Sequence, residues 1–147
     1  MRSIIIIAVV GVVLLVGGSY WSKSLAERDP NTVATSGLHW HPELEIYILG
    51  EKQEIPQDIG LGVVHNPIHT HDDIPVLHME FSGKVVQDDT RLGEFFEVWG
   101  KEFSSEQIFE YKNGPEGSVR MYVNGAENTE FENYRMRDGD KIVIRYE

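Results

Sequence analysis

The apolar positions of this chain fall into three stretches of different period. Residues 4–21 carry no charge and are rich in Ile and Val. Residues 22–37, SKSLAERDPNTVATSG, have no apolar period and are broken by Pro30 and Gly37. Beyond them a period of two takes over. Glu43-Leu-Glu-Ile-Tyr-Ile48 alternates, so a strand is expected with Leu44, Ile46 and Ile48 pointing inward, and after a Gly50-Glu51 turn residues 52–56 complete a β-hairpin. Residues 76–81 read as another strand. The period then lengthens. Leu92, Phe95, Phe96, Trp99 and Phe103 recur at steps of three and four, which predicts a helix with Thr90 as its cap and an aromatic stripe that packs on the sheet. Ser104-Ser-Glu-Gln107 has the form of a capping box and predicts one further short helical turn before Asn113-Gly-Pro115. Val119, Met121 and Val123, then Ile142, Ile144 and Tyr146, alternate as the last two strands.

The order hairpin, inserted segment with a strand, helix, strand, strand predicts an α+β domain. Reduced to its core, β-β-α-β-β resembles the β-grasp, or ubiquitin-like, fold, and Met121-Tyr-Val-Asn-Gly125 with Arg137-Asp-Gly-Asp-Lys-Ile-Val-Ile144 resembles the closing strands of such domains. That resemblance implies one mixed sheet with one packed helix and a His-rich insertion.

The uncharged run of 18 residues would rise about 27 Å as a helix, close to a bilayer core of about 30 Å, and Tyr20-Trp21 would sit at the interface. The expectation is an N-terminal transmembrane helix over residues 1–22, a flexible tether over 23–37, and a single domain over 38–147 held outside the cytoplasm at the cell membrane. A cleaved signal peptide is the competing reading, with Ser24-Leu25-Ala26 as the cleavage site. The formal net charge of −11 argues against nucleic acid as a partner, because phosphate binding needs a basic face. There is no cysteine, which excludes disulfides and thiolate metal sites.

Chemistry concentrates in one window. All six histidines lie within 40 residues, as His39-Trp-His41, His65, His69-Thr-His71 and His78. A lone histidine is ordinarily a surface or core residue with a satisfied hydrogen bond. Two His-x-His pairs are different, because residues i and i+2 of a strand project from one face and present two imidazoles to a common point. The expected metal ligands are His69, His71 and His78, joined by His41 or His39. His65, beside Asn66-Pro67 in a turn, is the weakest candidate. Asp72 and Glu80 are expected to accept hydrogen bonds from the outward ring nitrogens, or to ligate directly. Met79 alternates away from His78 and Glu80, so it is expected in the core and not on a metal. An all-nitrogen site favours copper first and zinc second in the Irving–Williams order.

Three functions compete on these residues. The first is a metal-binding protein holding copper or zinc. The second is a metalloenzyme with three histidines, an open position, and Glu80 or Asp72 as general base. The third is an interaction module with structural or pH-sensing histidines. Taken together, His39-Trp-His41-Pro-Glu-Leu, Ile55-Pro-x-x-Ile-Gly, His69-Thr-His-Asp72, His78-x-Glu80 and Leu92-Gly-Glu-Phe-Phe-x-x-Trp-Gly100 resemble a family of exported or membrane-anchored bacterial and archaeal proteins of unknown function. The resemblance implies a shared fold and histidine site and supplies no reaction.

Overall fold

In the computed structural model the described residues are 10–19, 21 and 29–147. The chain separates into two compact units, residues 1–31 and 32–147. In the first, the described residues 10–19 and 21 are helical and constitute α1. Among the described residues no helix is long and apolar enough to cross a membrane, which corrects the expected transmembrane helix. Residues 1–9, 20 and 22 of that expected span, the alternative cleavage site at Ser24-Leu25-Ala26 and residues 23–28 of the expected tether lie outside the described residues.

The second unit is mixed α and β. Strands β1 (Thr32–Ala34), β2 (Leu38–Trp40), β3 (Glu43–Ile48), β4 (Glu51–Gln53), β5 (Ile68–His69), β6 (His78–Phe81) and β7 (Val85–Val86) precede helix α2 (Leu92–Trp99). After it come β8 (Gln107–Ile108), β9 (Tyr111–Lys112), β10 (Val119–Val123), β11 (Ala126–Glu127) and β12 (Lys141–Tyr146). The expectation of one mixed β-grasp-like sheet is corrected, because the strands divide among four sheets of five, three, two and two. Strand β1, within the stretch expected as tether, pairs with β7.

The largest sheet runs β11-β10-β12-β3-β4, antiparallel except where β12 lies parallel to β3. Its register sets Leu44 beside Ile142, Ile46 beside Ile144 and Ile48 beside Tyr146, so the alternating residues of both strands meet on one face. All six are at most 4% exposed. On α2, Leu92, Phe95 and Phe96 are buried in the same core. Phe103 lies beyond the end of the helix at Gly100 and still stacks on Phe96, with ring centroids 4.5 Å apart.

Two local expectations fail for identifiable reasons. Thr90 does not cap α2. Its hydroxyl donates to the carbonyl of Gln87 inside a 3-10 turn over Gln87–Thr90, and Arg91 takes the N-cap position without a side-chain bond. Residues 104–107 start no helix, since β8 folds onto β9 and Asn113 donates its side-chain amide to the Ser105 carbonyl.

The three-stranded sheet β2-β6-β5 positions the histidines. Direct partners in an antiparallel pair share a face. Leu38 opposite Phe81, Trp40 opposite Met79 and Ile68 opposite Met79 therefore form one face, packed into the core. His39 opposite Glu80 and His69 opposite His78 form the other. The small sheet is tied to the large one through β3, where the Leu44 amide donates to Pro75 and the Leu77 amide to Pro42.

Candidate metal centre

Two backbone anchors aim the His-x-His pairs. Thr70, fully buried, donates its hydroxyl to the Pro56 carbonyl at 2.9 Å and accepts the Ile59 amide at 3.0 Å. Thr70 follows the last residue of β5, so its pinned side chain fixes the chain between His69 and His71 against the preceding loop. That loop approaches closely at Gly60, whose φ of +76° needs glycine and whose added Cβ would sit 2.7 Å from the Ile68 carbonyl oxygen. On the other edge of the sheet, the His41 amide donates to Asp138 Oδ1 at 2.8 Å.

The result is a continuous patch of imidazoles. Ring centroids are 4.6 Å apart for His39 and His41, 5.0 Å for His41 and His78, 4.6 Å for His71 and His78, and 4.9 Å for His69 and His71. Two groups of three can each hold a metal ion: His39, His41 and His78, and His69, His71 and His78, with one ligand atom per residue all within 4.8 Å of one another. His78, on the central strand, belongs to both.

Hydrogen bonds decide where lone pairs are left. A backbone carbonyl only accepts, so the 3.0 Å contact of His69 Nδ1 with the Asn66 oxygen puts the proton on Nδ1 and leaves the lone pair at Nε2. A carboxylate also only accepts. Asp73 Oδ1 and Oδ2 lie 3.0 and 3.1 Å from His78 Nε2, so that nitrogen carries hydrogen and Nδ1 is free to ligate. Glu80 Oε1 is 3.1 Å from His39 Nε2 and 4.0 Å from His78 Nδ1.

Burial outweighs the opposing influences at the deep end. His69 is 3% exposed, and burial, the largest influence, pushes its pKa down against the opposing bond to the Asn66 carbonyl, with His71 adding to the fall. The neutral, lone-pair form is the one that binds metal. Asp73 is held below the usual carboxylate range, chiefly by its bond to His78.

Of the expected residues, the structure brings His39, His41, His69, His71 and His78 together and sets Glu80 beside His39 and His78. His65 belongs to neither group, its ring 6.4 Å from that of His69. Met79 is fully buried on the opposite face. Asp72 is exposed, and it is its neighbour Asp73 that bonds His78. Sequence reasoning missed Asp73, together with the anchoring roles of Asn66 and Asp138. The doubled Asp72-Asp73 was the available signal, but which of the two turns inward depends on the bend that leads to Val76, where the Val76 amide donates to the Asp73 carbonyl.

No known protein family, no curated protein and no solved structure matches this chain. The reading of the site therefore rests on its own geometry.

Proposed function

We propose that this chain is a transition-metal-binding protein whose histidine face takes copper in preference to zinc. The observation that carries the proposal is the pair of three-histidine groups meeting at His78, with ligand atoms within 4.8 Å in each. Chance placement gives no reason for five histidines to gather at one small sheet, with a ring nitrogen of His69 already bonded to Asn66 and one of His78 to Asp73. That pattern of outer partners is what fixes an imidazole's tautomer and aim at a metal. Sulfur takes no part, since cysteine is absent and Met79 faces the core. Among divalent ions an all-nitrogen site ranks copper above zinc.

The test is a copper(II) titration of the full-length chain, made without a histidine tag and followed by electron paramagnetic resonance. The expected result is near-stoichiometric binding with hyperfine splitting from several nitrogens, and zinc displaced by copper. Copper that stays in the aqueous spectrum throughout would overturn the proposal.

A further inference from the structure

The two groups differ in depth. His69 is 3% exposed, and the shared His78 side chain 13%, whereas the side chains of His39 and His41 are 63% and 43% exposed. An ion on His39, His41 and His78 would be reached from solvent, with the Glu80 carboxylate alongside. An ion on His69, His71 and His78 would lie deeper, with the buried His69 and the half-buried His71 and His78 as nitrogen ligands.

His78 has only one lone pair to give. Asp73 holds the hydrogen on Nε2, so Nδ1 is the sole donor, and two ions would compete for it. Filling both positions together would require His78 to lose its Nε2 proton and Asp73 to give up its bond. With that bond kept, the positions are alternatives.

Resting on the metal-binding reading, we propose that the patch is a two-position relay for a single ion, which is captured at the outer group and passes to the inner group by exchanging partners about His78. His39 and His41 leave as His69 and His71 arrive, and His78 stays bound. No bond other than metal–nitrogen is made or broken, and no electron moves. The distances favour such exchange, because the His78 ring lies 5.0 Å from that of His41 and 4.6 Å from that of His71. An ion that keeps one ligand throughout never has to recover its full hydration shell.

The experiment uses the full-length untagged chain and copper(II), with equilibrium stoichiometry and stopped-flow loading measured on wild type, His39→Ala/His41→Ala, His69→Ala/His71→Ala and His78→Ala. The expected stoichiometry is one ion for wild type. The outer double variant should still bind one ion but load more slowly by about tenfold or more, within the decades over which association rates respond to such changes. The inner double variant should load at the wild-type rate and release its ion faster. His78→Ala should lose both behaviours. Two ions per wild-type chain, or loading indifferent to His39 and His41, would overturn the relay while leaving metal binding intact. A wild-type chain that binds no copper would overturn the metal-binding reading itself. Circular dichroism of each variant separates a lost ligand from a lost fold, and an outer double variant that is folded and loads normally counts against the relay.

Discussion

Replacing Asp73 by asparagine removes a charge and leaves the shape, and the account predicts that copper affinity falls. Both carboxylate oxygens lie 3.0 to 3.1 Å from His78 Nε2, where a group that can only accept fixes the proton and turns Nδ1 toward the metal. Asparagine can present either an oxygen or an amino group there, so the tautomer is no longer enforced. Losing such an outer partner costs about 10–100-fold in metal affinity. Asp73 has a side chain 51% exposed, and water screens much of its charge, which places the expected loss near the lower end. About tenfold corresponds to about 1.4 kcal/mol. The assay is competition for copper against a chromophoric chelator at fixed pH, with Asp72→Asn as the control, since Asp72 is exposed and it is Asp73 that bonds His78. An unchanged affinity in Asp73→Asn, or an equal loss in Asp72→Asn, would refute the reasoning.

Three further outcomes follow from other parts of the structure. His65→Ala should leave copper affinity unchanged in the same competition, because His65 is in neither ligand group. Met79→Ala should lower the stability of the metal-free chain by about 2–5 kcal/mol in urea denaturation, as expected for a fully buried methionine, and a loss far below that range would mean the core face of β6 is misassigned. Glu45 is held below its usual pKa by hydrogen bonds from Lys52 and then from the Tyr47 hydroxyl. A carboxylate whose folded pKa is depressed adds stability above its unfolded pKa and loses it as pH falls through the folded value. Glu45→Gln should therefore be less stable than wild type at neutral pH, with the two converging as pH falls through the depressed folded value, and a gap that persists once the carboxyl is protonated would contradict this origin.

The histidine site was legible because of its spacing. His39 with His41, and His69 with His71, are two residues apart, which suggests a shared side, and the chain keeps each pair together although β2 ends at Trp40 and β5 at His69. Leu44, Ile46 and Ile48 were legible for the same reason, as was Met79 facing away from His78. What could not be read was anything set by the chain's return from a distance. The Asp138 carboxylate meets His41 from 97 residues away, and no local pattern announces that. Asp73 rather than Asp72 bonds His78 because of the bend that follows, and Thr90 turned out to serve a 3-10 turn in place of α2. The division into four sheets was hidden likewise, since strands as short as β5 and β7 have too few residues for their alternation to show. The apolar run at the N-terminus read as a span from length and composition, and among the described residues, of which 10–19 and 21 are helical there, no helix is long and apolar enough to cross a membrane.

Metal content measured by plasma mass spectrometry tests the central claim most directly, on the full-length untagged chain as wild type, as His69→Ala/His71→Ala and as His78→Ala. The account predicts near-stoichiometric copper or zinc in wild type after reconstitution, weakened retention in the double variant and none in His78→Ala, whose imidazole both groups need. A wild-type chain that retains no transition metal, or a folded His78→Ala that retains as much as wild type, would contradict it.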